Sequence, residues 1–382
     1  MKRLVSGKPD LYRESFAGEN DTDQGHQDKL DRYGKAKAHQ VAVGEYIKDD
    51  PLFRKEYQAL LECGDFLHFR HWESLGLYRL IGGCSCKKHL LCCLCALRRS
   101  ARQVQEYEAK IKQLLVEHPD WVPVLITRTI KNGPDLDERY KHFIGAHKKL
   151  MRRRRNALSA KKIRLKDCSV LRHVHGSAGS YEFKLGKNSG MWHPHSHEIA
   201  LLDSSVVFQE EERKGKVVQV PVEFEEQLAE EWFQATGDSY IVDVRRLEVG
   251  SEDFLKGVCE AFKYALKFTD LEIPDQVEAY RVLKGRRLVY SYGALWGVKV
   301  SDSIVDTVEE FLELVPYVDY VYRFAEGQYK LHEITDHGPL EKGKGLNIKN
   351  HDSGLKDIFE INGQCHDLQS IKDWLQGEVV PF

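Results

Sequence analysis

The stretch Met191-Trp-His-Pro-His-Ser-His-Glu-Ile-Ala-Leu-Leu202 constrains this 382-residue chain more than any other. Ile199 to Leu202 is apolar whichever way alternate side chains point, as in a strand covered on both faces. Pro194 has no N–H to give a ladder and fits only near the start of such a strand. On a strand, His195 and His197 project from one face and Ser196 from the other, so two imidazoles converge on one point. Imidazole pairs suit a divalent metal, and an incomplete protein ligand set leaves positions open for substrate.

The segment before it supplies a third donor. Ser180 to Leu185 alternates, with Tyr181, Phe183 and Leu185 on one side and Ser180, Glu182 and Lys184 on the other. Gly186-Lys-Asn-Ser-Gly190 reads as a hairpin loop, and folding about Asn188 sets Glu182 opposite Pro194 to within one residue. Glu182 is therefore a candidate ligand beside His195; a solvent-facing strand glutamate is the competing account.

A second cluster lies upstream, in Cys84-Ser-Cys86-Lys-Lys-His89-Leu-Leu-Cys92-Cys93-Leu-Cys95. Cys92 and Cys95 form a C-x-x-C knuckle. Cys84, Cys86 and His89 offer further ligands for tetrahedral Zn²⁺. Cys86, Cys92 and Cys95 with Cys84 are the preferred set, and the fourth position stays open among Cys84, His89, Cys93 and the more distant Cys63. Nine cysteines, an odd number and mostly clustered, indicate metal or thiol roles in a reducing compartment, here expected to be the cytoplasm. No signal peptide and no membrane-spanning run is expected from the sequence. Arg98, Arg99 and Arg102 follow the knuckle on a helical stretch, where they would face DNA backbone, unless the zinc only staples a small subdomain.

The formal net charge of −2 hides an uneven distribution. Ten Lys or Arg and no acid occur between Lys148 and Lys166, including Arg152, Arg153, Arg154 and Arg155, whereas acids such as Glu309 and Glu310 gather after residue 300. One polyanion-facing surface would produce this asymmetry, as would a solvated basic helix. Val124 to Ile130 reads as a strand, and Asp135 or Asp137 as the cap of the helix that runs into the arginine block.

From Phe254 to Phe268 the apolar residues Phe254, Val258, Ala261, Phe262, Ala265 and Phe268 share one helical face. Glu260, Tyr264 and Lys267 fall together opposite it. A tyrosine between a carboxylate and an ammonium is placed like an assisted nucleophile; an amphipathic helix with an exposed tyrosine is the alternative.

Together these motifs resemble the plasmid rolling-circle replication initiators, the single-tyrosine Rep branch of the HUH endonucleases. The resemblance rests on Cys86-x5-Cys92-x2-Cys95 with Arg98-Arg99, Leu125-Ile-Thr-Arg-Thr-Ile-Lys-Asn132, Trp192-His-Pro-His-Ser-His197 and Glu260-x3-Tyr264-x2-Lys267, in order, over roughly residues 55 to 297. Two positions depart from the family pattern: Glu198 stands where an apolar residue is usual, and Cys93 where a proline is usual. The resemblance implies an α+β fold, with a central antiparallel sheet, flanking helices and a ferredoxin-like relationship, joined to a helical zinc-knuckle subdomain. It implies Mg²⁺ or Mn²⁺ held by His195, His197 and Glu182, attack on single-stranded origin DNA by Tyr264, charge stabilisation by Lys267, and water activation by Glu260 in a terminating cleavage. Plasmid origin DNA is the implied partner, with host helicase and replication machinery and no membrane. The expected organisation is a poorly ordered segment 1–40, a zinc-knuckle subdomain 41–115, a catalytic domain 116–300 and a C-terminal region 301–382 of no assigned role. A zinc-dependent DNA-binding regulator without nuclease activity, a water-using metal hydrolase, and a relaxase or transposase of the same superfamily are the competing readings.

Overall fold

A computed structural model describes residues 23–159, 169–186, 188–213, 215–263, 270–300, 306, 312, 315–337, 358–361 and 364–367. In chain order the elements are α1 (Asp23–Ile47), α2 (Arg54–Glu62), β1 (Phe66–Trp72), β2 (Leu77–Gly83), α3 (Cys93–Glu117), β3 (Val122–Thr129), α4 (Leu136–Ser159), β4 (Val174–Leu185) and β5 (Trp192–Leu202). There follow β6 (Gln209–Arg213), β7 (Lys216–Val220), α5 (Val222–Thr236), β8 (Val242–Arg246), α6 (Glu252–Phe262), α7 (Ile273–Leu283), β9 (Val289–Gly293), β10 (Tyr317–Ala325), β11 (Gln328–His337), β12 (Ile358–Ile361) and β13 (Gln364–Asp367). The fold is α+β with antiparallel sheets. It divides into two compact units, one containing Lys87–Asp302 and the other Gly18–Gly44, Asp50–Cys86 and the residues from Ser303.

The first unit is built on a five-stranded sheet of order β8-β3-β5-β4-β9, which makes the histidine strand β5 central. A strand paired on both edges and covered on both faces must be apolar on both faces, which is why Ile199 to Leu202 carries no exposed side chain. One face packs on α3 and α6: Leu125, Ala178, Ile199 and Leu201 meet Tyr107, Ile111, Phe254, Val258 and Phe262 in a single core. The Tyr107 and Phe262 rings stack at 4.4 Å. Burying an aromatic or branched side chain of this kind contributes about 1.5–3 kcal/mol. The Ser180 hydroxyl donates to the Ala261 carbonyl at 2.6 Å and ties α6 to β4. On the other face α4 supplies Phe143, whose ring meets both Tyr181 of β4 and Trp232 of α5. Asp135 caps α4, accepting from the Glu138 N–H at 2.9 Å.

The second unit is a four-stranded sheet of order β11-β10-β1-β2. Residues 317–337, for which the sequence offered no role, thus form β10, which pairs with β1, and β11, which pairs with β10. The expectation of poor order over residues 1–40 fails from Asp23 onward. There α1 buries Leu30, Tyr33 and Ala36, and the buried Lys37 ammonium donates to the Leu61 and Cys63 carbonyls at 3.0 and 2.7 Å. The sequence hides this because α1 has few apolar residues and engages through long polar side chains whose stems pack while their tips hydrogen-bond. Between α1 and α2, Asp50 caps a short 3-10 turn opened by Pro51.

Candidate metal centre

The β4–β5 register places Glu182 directly opposite His195 and Ser180 opposite His197. All three donors therefore leave the same face of the sheet, and their ligand atoms lie within 4.8 Å of one another. His195 Nε2 is 3.3 Å from Glu182 Oε1, and His197 Nε2 is 3.7 Å from Glu182 Oε2. The other ring nitrogens are already engaged. His195 Nδ1 donates to the His193 carbonyl at 3.1 Å, and His197 Nδ1 lies 3.0 Å from Thr127 Oγ1. The carbonyl partner puts the His195 proton on Nδ1 and leaves its Nε2 lone pair for a cation, and the Thr127 hydroxyl, by accepting from His197 Nδ1, can do the same for His197. Thr127 was not legible as a site residue. It stands opposite His197 in the β3–β5 register, and only the pairing reveals it.

Electrostatics agree with a ligand set. Burial, with repulsion from His195, Lys263 and Lys184, holds the His197 imidazole down at about 3 against the pull of Glu182, so the ring is neutral near pH 7. Burial alone would push the Glu182 carboxyl up. Its hydrogen bond with His195 and the charges of His195, His197 and Lys184 outweigh this and hold it well below the usual carboxylate range. Two imidazoles and one buried carboxylate fit a divalent cation with coordination positions left for other oxygens.

Helix α6 brings Glu260 to the same point, 3.4 Å from His197 Nε2. Lys263 pairs with Glu260, and Lys184 Nζ lies 3.2 Å from Glu182 Oε1. Two ammonium groups thus border the three donors. Neither was singled out from sequence, although Lys184 shares its strand face with Glu182. Helix α6 ends at Phe262, short of the expected Phe268, and Tyr264 and Lys267 lie outside the described residues.

The reverse face of the same strands explains the departure at Glu198. Arg128 and Glu198 are both fully buried there, with Arg128 Nη2 2.9 Å from Glu198 Oε1. Arg128 Nη2 also donates to the Tyr290 hydroxyl at 3.1 Å, and its guanidinium lies 5.3 Å from the Trp232 ring. Gly179 faces Glu198 across β4–β5, and a Cβ there would collide with the His197 carbonyl and Glu198 itself. A charge in place of an apolar residue is accommodated because the neighbouring strand supplies the counter-charge and β4 supplies the space.

The second donor group is Cys63, Cys86, Cys92 and Cys95, whose sulfurs lie within 4.8 Å of one another. The Cys95 N–H donates to Cys92 Sγ at 3.4 Å. Four thiolates fit tetrahedral Zn²⁺. The preferred fourth donor, Cys84, is a correction: it is exposed and outside the group, as is His89, and Cys63 takes the place. The reason is the hydrogen bond from Gly64 N to the Cys84 carbonyl at 2.9 Å, which holds the end of α2 beside the end of β2. The arginines after the knuckle also differ from expectation. Arg98 and Arg102 are buried and do not present themselves to DNA, while Arg99 is half-buried. Arg152 to Arg155 ride on α4, with Arg152 exposed; Arg154 turns inward to donate to the Leu171 and Val174 carbonyls at 3.1 and 2.7 Å.

Comparison with known proteins decides the family. The family model described as "Replication protein" matches residues 78–332, more than half of the chain. The chain belongs to this family of plasmid replication proteins. A relative, "Protein rep" of Streptococcus pneumoniae serotype 2, is 23% identical over 246 residues, covering 61% of this chain and 68% of the relative. No solved structure matches. The matched region contains both donor groups except Cys63, and it runs into β11. No helix among the described residues is long and apolar enough to cross a membrane.

Proposed function

We propose that this replication protein initiates rolling-circle replication by nicking single-stranded origin DNA with Tyr264. The phenolic oxygen attacks the scissile phosphorus, a P–O bond to Tyr264 forms, and the bond to the 3′ oxygen breaks. The leaving oxygen takes a proton and becomes the 3′-OH primer, while the 5′ end stays on the enzyme as a phosphotyrosyl ester. His195, His197 and Glu182 would hold Mg²⁺ or Mn²⁺, which when bound supplies Lewis-acid polarisation of a phosphoryl oxygen. Glu260 would take a proton from water in the cleavage that ends the cycle, and Lys267 would stabilise charge on the phosphate.

The observation that carries the reading is the convergence of three buried donors with Glu260, on a helix whose chain continues directly into Tyr264. Cys63, Cys86, Cys92 and Cys95 would hold a structural Zn²⁺. Exposed cations of α4 would engage origin phosphates, and the work would be done in the cytoplasm with host helicase and replication machinery.

The test is strand-specific nicking of supercoiled plasmid carrying the cognate origin, with Mn²⁺. Wild type should nick, and Tyr264→Phe and His195→Ala/His197→Ala should not. Nicking that survives Tyr264→Phe but needs the histidines would mark a water-using nuclease. Origin binding without nicking in an active preparation would favour a zinc-dependent regulator.

A further inference from the structure

The sheet face that carries the metal donors has three rungs. Register pairs Ser180 with His197, Glu182 with His195 and Lys184 with His193, and all six side chains leave the same face. Helix α6 covers the first rung: the Ser180 hydroxyl donates to the Ala261 carbonyl, and Glu260 lies 3.4 Å from His197 Nε2. The third rung is open. The Lys184 side chain is 45% exposed and His193 is half-buried, while Glu182 between the rungs has almost no exposed surface. An incoming phosphate therefore approaches the donors past Lys184.

Distances set what Lys184 can touch there. Its Nζ lies 3.2 Å from Glu182 Oε1, the oxygen that also faces His195 Nε2 at 3.3 Å. An ammonium has three protons, so one directed at the carboxylate leaves two for other acceptors on the solvent side. The second carboxylate at this point, Glu260, has its own counter-ion in Lys263. Two carboxylates and two ammonium groups cancel, so a divalent cation on His195, His197 and Glu182 would leave the site with two positive charges. A phosphodiester carries one negative charge and gains a second as an oxyanion attacks it, which matches that excess.

We propose that Lys184 binds a non-bridging oxygen of the DNA phosphodiester at the metal centre, a substrate contact separate from that of Lys267. The proposal rests on the reading that this centre takes a phosphodiester of single-stranded DNA; it does not depend on which residue attacks. The same ammonium repels a divalent cation held by the three donors when no phosphate lies between them. Lys184 therefore acts with opposite signs on the two ligands: it weakens the metal alone and strengthens the DNA.

The experiment uses the full-length chain with zinc bound, in a Tyr264→Phe parent so that DNA binding is read without cleavage. Mn²⁺ affinity in the absence of DNA is followed by electron paramagnetic resonance of the free ion. Lys184→Gln should bind Mn²⁺ at least about 3-fold more tightly than the parent, because a like charge close to the ion has gone. Affinity for a fluorescein-labelled single-stranded oligonucleotide spanning the nick site is followed by anisotropy in Mn²⁺ across roughly 50–200 mM salt. There Lys184→Gln should bind about 10-fold more weakly, the loss of one charge-assisted hydrogen bond. Its slope of log affinity against log salt should fall by about 0.7, the value for one phosphate of a single strand. Lys184→Arg should retain most of the DNA affinity and the full slope. Lys184→Thr, neutral and suited to a strand, gives a second variant with the same expected signs should glutamine disturb folding. Unchanged oligonucleotide affinity and salt slope in a variant with the parent's melting temperature would overturn the proposal. So would weaker Mn²⁺ binding, which would make Lys184 a support of the ligand set. A parent that binds no Mn²⁺ would instead count against the metal reading, and the anisotropy comparison repeated without Mn²⁺ would still decide whether Lys184 touches DNA.

Discussion

The buried Arg128–Glu198 pair makes a sharp prediction about the strands that carry the metal ligands. Both side chains have no exposed surface, and Glu198 immediately follows His197 while Arg128 immediately follows Thr127. Removing one partner strands the other in a low-dielectric interior, which typically costs about 3–5 kcal/mol. In a unit of this size each kcal/mol shifts the melting temperature by about 2–4 °C, so a single substitution should lower it by roughly 6–20 °C. The two singles should differ. Burial disfavours the Arg128 cation, yet Glu198 and the surrounding tyrosines more than offset this and hold its pKa above the ordinary arginine value. Glu198→Leu leaves a guanidinium that cannot neutralise itself, whereas Arg128→Met leaves a carboxyl that can take up a proton. The Arg128→Met defect should therefore shrink as pH falls from 7 to 5, and the Glu198→Leu defect should not. The double variant Arg128→Met/Glu198→Leu should recover most of the stability, because well-packed apolar replacements of a buried pair are close to neutral. Differential scanning fluorimetry at the two pH values reads all of this. Single substitutions costing under about 1 kcal/mol, or a double variant as unstable as the sum of the singles, would refute the reasoning.

Three further outcomes follow from the geometry. Cys63→Ala should lose the bound zinc released to a chromogenic chelator, while Cys84→Ala should keep a full equivalent, because only Cys63 joins the sulfur group. Gly179→Ala should destabilise the first unit by at least about 2 kcal/mol in denaturant melts, since its new Cβ meets backbone that cannot move aside. Burial, reinforced by the Arg128 charge, holds the His147 imidazole well below its ordinary value, so folded protein binds fewer protons there than unfolded protein. Its contribution is complete above the unfolded pKa near 6.5 and is lost as pH falls below it. His147→Phe should accordingly reduce the slope of stability against pH between 6.5 and 5 by up to about 1.4 kcal/mol per unit.

Much of the candidate metal centre was legible because it depends on local periodicity. Alternation put His195 and His197 on one face, and a hairpin count placed Glu182 beside them within one residue. The strand Val124–Ile130 and the Asp135 cap were legible for the same reason. What stayed hidden depends on residues distant in sequence. Thr127 is a partner of His197 only through strand pairing, and Cys63 joins the sulfur group only because α2 ends beside β2. Arg128 and Glu198 look like surface charges until both are found facing the same side of adjacent central strands. The buried Arg98 and Arg102 warn that a cationic run on a helix does not reveal which side faces water. Strands β10 and β11 carry no chemistry-bearing motif, and the pairing of β10 with β1, more than 240 residues upstream, has no local signal.

The most direct measurement of the central claim is the identity of the residue joined to DNA. Wild-type protein would be incubated with Mn²⁺ and a single-stranded oligonucleotide spanning the origin nick site, digested with nuclease and trypsin, and its peptides sequenced by mass spectrometry. The account predicts a nucleotide phosphate on Tyr264, absent when His195 and His197 are both alanine. An adduct on another residue, or complete cleavage with no adduct on any residue, would contradict it.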